Sequence, residues 1–326
     1  MLARRRVAAC VFVLVLACGE GPKADGEVGS ASESGEGESA GESSSSVGES
    51  SDASSSDASS SDASSSDASE VDSSETGEQE RDYSSDKSKF FGESRCDAAG
   101  VLFCEDFEAA AIDGEAWEIQ GEAPTLDAAR SARGAQSLHV HTEANGLSLL
   151  RHTASFPVAE NVYWGRMFVW IDALPSAPDW AHWTLVGADG PDLPGEIRVG
   201  GQYHAFEARN LFGVGTDGGA TGDWTWLDGD PEGAALSVPT QAWVCLEWLH
   251  DGQNHVTEFY WDAVEHPSLA TSASEHGGNP DAEYLLPTFD SVWVGWWLYQ
   301  GAPSPDHYDV WIDEVALDGI RIGCIW

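Results

Sequence analysis

Several polar and aromatic residues in this chain fall where strand periodicity would bring them to one surface. In Glu196–His204, Ile197 and Val199 take one face, so Arg198, Gln202 and His204 share the other. In Trp180–Gly187, Trp183 and Leu185 read as buried, which turns His182 outward. In Ser291–Tyr299, Val292, Val294, Trp296 and Leu298 form an apolar face and leave Trp293, Trp297 and Tyr299 opposite. If these strands line one sheet, its surface carries a cation, an amide, imidazoles, a phenol and two indoles. Such a set suits β-elimination on a uronate-containing glycan. Arg198, helped by Gln202, would neutralise the carboxylate, His182 or His204 would take the adjacent proton, and Tyr299 would protonate the leaving oxygen. The same set serves equally well as a non-catalytic carbohydrate-binding groove in which Trp293 and Trp297 stack on sugar faces.

Other chemistries are less well supplied. Glycoside hydrolysis needs two carboxylates facing one bond. Glu247, Glu258 and Asp262 lie on neighbouring candidate strands, but no Glu-x-Asp-x-Glu run is present. Between Arg95 and Trp326 no Gly-x-Ser-x-Gly turn is present to carry a serine nucleophile.

The elements that must hold these residues are strands. Period-two alternation, broken by Gly, Asp, Asn and Pro, predicts strands over Leu102–Glu108, Ser137–Thr142, Leu147–Thr153, Val162–Ile171, Trp180–Gly187 and Glu196–His204. It continues over Ala205–Phe212, Ala242–His250, His255–Trp261, Ser291–Tyr299, Asp309–Leu317 and Arg321–Trp326. Asp251-Gly252-Gln253-Asn254 reads as a hairpin turn between two of them. No segment has convincing helical periodicity. Many short strands with turn signals predict an all-β, two-sheet antiparallel sandwich of the jelly-roll kind. All fifteen Trp lie in this region. Trp183, Trp248 and Trp296 share strand faces with Leu185, Leu246 and Val294 and read as core.

The formal net charge is -41, and no Lys occurs from Arg95 to Trp326. Phosphate neutralisation is therefore poorly served, which argues against nucleic acid as a partner. An acidic surface instead suits calcium, which prefers carboxylate and carbonyl oxygens.

The first residues speak of location. Met1–Arg6 is basic, Val7–Ala17 is apolar, and the run ends in Val15-Leu16-Ala17-Cys18. The run is far below the ~20 apolar residues of a spanning helix and reads as an export signal over residues 1–17. Val-Leu-Ala-Cys resembles a bacterial lipobox, so Cys18 is the expected lipidation site, anchoring the chain to a bacterial membrane or cell surface without spanning it. Residues 18–94 are almost wholly Ser, Gly, Glu, Asp and Ala, with Ser-Asp-Ala-Ser-Ser recurring every five residues around Asp52, Asp57, Asp62 and Asp67. Such a stretch buries too little apolar surface to offset its ordering entropy and is expected to be a disordered tether. That leaves 95–326 as the folded domain. Its four cysteines, Cys96, Cys104, Cys245 and Cys324, allow three disulfide connectivities, of which Cys96–Cys104 and Cys245–Cys324 are preferred. A zinc site is the alternative, but no Cys-x-x-Cys pair supports it.

Cys96, the run Phe103-Cys104-Glu105-Asp106-Phe107-Glu108, Gly134-Ala135-Gln136-Ser137-Leu138, Trp243-Val244-Cys245-Leu246-Glu247 and Trp311-Ile312-Asp313-Glu314-Val315-Ala316-Leu317 together resemble the concanavalin-type jelly-roll proteins. Within them the pattern is similar to the polysaccharide-lyase-like group of fungal cellulose-induced secreted proteins and glucuronan lyases. The resemblance implies a structural calcium where the first and last strands meet, with Glu108 and Asp313 as ligands and carbonyls near Ser131 and Gly134 completing the shell. Asp228-Gly229-Asp230-Pro231-Glu232 is a second acidic cluster, read first as a solvated turn. The chain departs from lyases of this fold, which often carry a Lys-containing, Tyr-rich strand with Gly two residues before a catalytic Tyr. Here Gly295 is followed two residues on by Trp297, and Lys is missing. This shifts the expectation toward polysaccharide binding, ahead of a lyase and of a surface adhesion protein without a glycan ligand.

Overall fold

The computed structural model describes residues 81–98, 100–193, 195–217, 224–225, 239–266, 269–277, 279 and 281–326. The segment read as an export signal, Cys18, the segment read as a tether as far as residue 80, and the acidic cluster at 228–232 lie outside them. Fifteen strands run through the described residues. In chain order they are β1 (Phe103–Glu105), β2 (Glu118–Gly121), β3 (Thr125–Asp127), β4 (Ser137–Glu143), β5 (Leu147–His152), β6 (Val162–Ile171), β7 (His182–Asp189) and β8 (Glu196–His204). The rest are β9 (Arg209–Asp217), β10 (Trp224–Thr225), β11 (Val244–Asp251), β12 (Val256–Trp261), β13 (Val264–Glu265), β14 (Ser291–Leu298) and β15 (His307–Asp318).

They form two antiparallel sheets. One runs β13-β12-β11-β6-β15-β4-β3, with β1 continuing the edge of β15 beyond β4. The other runs β10-β9-β8-β7-β14-β5-β2. Consecutive long strands such as β4 and β5, β6 and β7, and β14 and β15 fall in different sheets, so the chain winds across the sandwich as in a jelly roll. The inward faces meet in one core. Trp183, Trp248 and Trp296 are fully buried there, as the alternation predicted. Trp296 bridges the layers, stacked on Trp183 at 5.5 Å and on Tyr308 at 5.3 Å.

Two irregularities set what each sheet shows to the outside. Between Thr184 and Val186 the register of β7 against β8 shifts, and Leu185 and Val186 both point into the core. His182 and Thr184 therefore face outward on one side of the bulge, and Gly187 does so on the other. In β15 the register against β6 shifts between Asp313 and Ala316, where Glu314 has a φ of 46°. That bulge leaves Asp313 and Glu314 both buried beneath the segments that cover this sheet.

The disulfides are Cys96–Cys104 and Cys245–Cys324, the preferred pairing. Other details differ from the reading of the sequence. The strand predicted over Leu102–Glu108 ends at Glu105, because Phe107 turns at a φ of 58° with its N–H donating to the Glu105 carboxylate. Residues 205–208 form a turn before β9, closed by Ala208 N–H donating to Ala205 O. Arg321–Trp326 is not a strand. Gly323 sits at a φ of 83°, and the main-chain oxygens of Cys324 and Trp326 are taken by Arg133 and Arg166. Residues 81–94, read as the end of the tether, lie against the domain. Arg81 pairs with Asp318, and Phe90 is fully buried beside Phe168 and the Cys245–Cys324 disulfide.

Candidate functional site

The outward face of the β9-β8-β7-β14 sheet is floored by glycine. Register pairs Trp293, Gly187, Arg198 and Gly215 in one row, and Trp297, Thr184, Gly200 and Gly213 in the next. A third row holds His182, Gln202 and Leu211, with Tyr299 donating its N–H to His182 O at 3.1 Å. At Gly187 the absence of a side chain leaves room for a neighbouring side chain to lie down on the sheet. A Cβ on Gly187 would come 2.0 Å from the Trp293 indole. Trp293 fills that space and is 2% exposed, whereas Trp297, 6.3 Å away, is half-buried. Trp297 thus presents the accessible indole of the pair.

Arg198 crosses this floor. Its guanidinium carbon lies 4.7 Å from the Trp297 ring and 4.3 Å from the Tyr299 ring, and its Nε donates to Glu196 Oε2 at 3.2 Å. The Tyr299 hydroxyl is 3.1 Å from Thr184 Oγ1. His182 is oriented by Gln300. Gln300 Oε1 accepts the His182 main-chain N–H at 2.5 Å, so its Nε2, 2.8 Å from His182 Nδ1, must donate. His182 Nδ1 is then an acceptor, and in the neutral ring Nε2 carries the proton. Gln202 has both amide atoms buried with no hydrogen-bond partner, and the residue is 1% exposed. A fully buried, unsatisfied amide is costly without a ligand or water to pair with it.

The sheet therefore brings Arg198, Tyr299, Trp297, His182 and Gln202 to one surface. His204 lies apart, at the end of β8 against Trp180, with ring centroids 4.6 Å apart and Glu207 3.9 Å from Nδ1. Thr184 and Gln300 belong to the cluster and were not anticipated. Alternation already turns Thr184 outward with His182; the bulge that follows changes the facing of Val186 and Gly187.

The residues expected to hold calcium meet at the 131–136 turn on the other sheet. Glu108 Oε1 accepts the N–H groups of Ala135 and Gln136 at 2.8 and 3.0 Å. Asp313 Oδ2 accepts those of Ala132 and Arg133 at 2.7 and 3.0 Å. Ser131 Oγ donates to Gly134 O at 3.3 Å. Asp313 Oδ1 is buried with no hydrogen-bond partner, and desolvation pushes the carboxyl up to about 7. An orphaned carboxylate oxygen, beside a turn that also anchors a second carboxylate, fits a hard cation. Among the described residues, three further groups bring histidine, cysteine or carboxylate side chains together on this side of the sandwich: the two disulfides beside Glu314 and Glu247, and His139, His141 and Asp309.

No family model matches the chain, and no curated protein matches it significantly. Solved structures do. Cellulose induced protein, Cip1, superposes with a TM-score of 0.51 at 22% identity, over 68% of this chain and 99% of that one. The alginate lyase AlgAT5 of polysaccharide lyase family 7 gives a TM-score of 0.34 at 14% identity, over 56% of this chain and 78% of its own. The CBM22-1 xylan-binding domain from Paenibacillus barcinonensis Xyn10C gives 0.32 at 13% identity, over 69% and 97%. The chain has a two-sheet antiparallel jelly-roll fold, shared over 68% of its length with Cip1.

Proposed function

We propose that the domain binds polysaccharide on the outward face of β7, β8 and β14, and that the chain is exported and lipid-anchored through Cys18. The observation that carries the binding reading is Gln202. Its amide is buried and unsatisfied on the surface that also carries Arg198, Trp297 and Tyr299. Sugar hydroxyls supply both a donor and an acceptor to such an amide, and a sugar face complements the Trp297 indole. Two disulfides suit an oxidising compartment, and Val15-Leu16-Ala17-Cys18 supports the anchor.

The test is titration of the protein with a panel of neutral and uronate-containing polysaccharides. Binding to one class that Gln202→Ala and Trp297→Ala weaken supports the reading. Absence of binding to every polymer would leave a surface role without a glycan ligand.

A second reading, β-elimination, is favoured by one feature: the Tyr299 hydroxyl stands beside an arginine that could neutralise a uronate carboxylate. Arg198 would neutralise the acid group, the Tyr299 oxygen would take the adjacent proton and pass it to the leaving oxygen, and His182 Nε2–H would donate a hydrogen bond to the sugar. The ultraviolet absorbance of an unsaturated product separates cleavage from binding.

Calcium is proposed as a structural ion at the 131–136 turn. Asp313 would ligate through Oδ1, with Glu108 and the carbonyls of Ser131 and Gly134 as further oxygen donors. The ion would clamp the segment after β1 and the bulge of β15 to the turn between β3 and β4, with no part in bond breaking.

A further inference from the structure

We infer that His139, His141 and Asp309 form a surface site for a borderline divalent transition metal, with zinc as its representative. The site lies on the outward face of the sheet opposite the one that carries Arg198. His139-Val140-His141 occupies the middle of β4, where the two-residue period turns both imidazoles to the same side while Val140 enters the core. On the neighbouring strand, Asp309 is paired directly with His141. His139 Nε2 and His141 Nδ1 each lie 2.8 Å from the same oxygen, Asp309 Oδ1.

Two ring nitrogens and one carboxylate oxygen thus converge, all within 4.8 Å of one another. Imidazole nitrogen with carboxylate oxygen suits zinc, copper or nickel, whereas calcium takes oxygen donors alone. Zinc bonds of roughly 2.0–2.1 Å in a tetrahedral shell separate ligand atoms by about 3.3 Å. The donors need to open only slightly from 2.8 Å to admit the ion. All three side chains are partly exposed, so water can reach the remaining position.

The surroundings hold these rings in place. His139 stacks on Trp311 with centroids 4.5 Å apart and planes at 10°, and Trp311 Nε1 donates to Asp127 Oδ2 at 2.8 Å. The other nitrogen of His141, Nε2, is 3.3 Å from Glu143 Oε1. A carboxylate behind a ligating histidine fixes its ring and raises its basicity, and loss of such a partner typically costs about 10–100-fold in affinity.

The experiment is zinc titration by calorimetry on the full chain, stripped with chelator and held in excess calcium. His139→Ala and Asp309→Asn are titrated alongside, with circular dichroism to confirm that each variant is folded. The expected result is one zinc per chain in the native protein, weakened at least ~10-fold in each folded variant. Copper paramagnetic resonance on the unaltered protein provides a mutation-independent readout, with hyperfine coupling to two imidazole nitrogens expected. The inference is overturned if zinc does not bind, if excess calcium abolishes binding, if the folded variants bind as the native chain does, or if the copper spectrum shows oxygen ligands only.

Discussion

The guanidinium of Arg198 lies 4.3 Å from the ring of Tyr299, whose hydroxyl is 3.1 Å from Thr184. A cation and a phenol on two different strands, β8 and the end of β14, are thereby held in one arrangement across β7. Removing the hydroxyl and removing the cation should have different consequences. Arg198→Ala removes the charge and the donors that would meet a bound polymer and should weaken its binding by about tenfold, roughly 1.4 kcal/mol. Tyr299→Phe keeps the ring beneath Arg198 and should leave binding within about threefold. If this surface also cleaves its polymer, Tyr299→Phe should abolish the ultraviolet signal while KM stays near its native value. Affinity titration and product absorbance on the same variants check both outcomes.

Calcium should raise the thermal midpoint of the native protein. An ion that binds the folded state at 100 times its dissociation constant stabilises by about 2.7 kcal/mol. Asp313→Asn keeps the side-chain size and one oxygen but removes the charge that would attract the ion. The variant should lose most of the calcium-dependent shift, as measured by scanning calorimetry with calcium and with chelator. An equal shift in native protein and variant would place the ion elsewhere.

Strand positions were legible wherever a strand is long and well buried. Val162–Ile171 and Glu196–His204 match the alternation to the residue. Short edge strands were not. β2 is four residues, mostly exposed, and β3 is three, so neither carries an apolar stripe to read. The C-terminal segment misled for a physical reason. Ile322, Cys324 and Trp326 alternate as in a strand, but the main-chain oxygens of Cys324 and Trp326 accept from arginine side chains. Arg198, Gln202, His182, Tyr299 and Trp297 were placed on one surface by period two alone. The burial of Trp293 required knowing that Gly187 lies opposite it. His139 and His141 are an outward pair by the same period, yet only the register of β15 against β4 shows that Asp309 meets them.

Glu314 should be among the residues least tolerant of neutralisation. It is fully buried between Arg133 and Arg166, which are themselves buried. Desolvation first, then the charge of Arg166, pull the Arg133 guanidinium down to about 9. Glu314→Gln would leave two buried cations without their shared anion, a change that typically costs about 3–5 kcal/mol. Denaturant unfolding should show a correspondingly lower midpoint. A loss below about 1 kcal/mol would mean that the main-chain oxygens of Cys324 and Trp326 alone satisfy the two arginines.

His250 should make the fold sensitive to acid. Its ring is fully buried, stacked on Phe289 at 5.5 Å and edge-on to Tyr163 at 5.4 Å, and neither ring nitrogen makes a side-chain hydrogen bond of ordinary geometry. Desolvation lowers its pKa from 6.5 to about 3. The folded state thus favours the neutral ring, whereas the unfolded chain takes up a proton below about 6.5. The stability this contributes is fully present above pH 6.5 and is lost as pH falls toward 3, with a total on the order of 5 kcal/mol. Because the ring nitrogens are already unpaired, His250→Phe should be close to neutral at pH 7. At pH 4.5 it should be more stable than the native chain by roughly 2–3 kcal/mol. Urea unfolding of both proteins at the two pH values provides the comparison. Other groups that titrate over this range cancel in the difference between native chain and variant. If the two proteins kept the same stability gap at pH 7 and 4.5, His250 would have to be reaching solvent when it protonates, and its burial would carry no acid sensitivity.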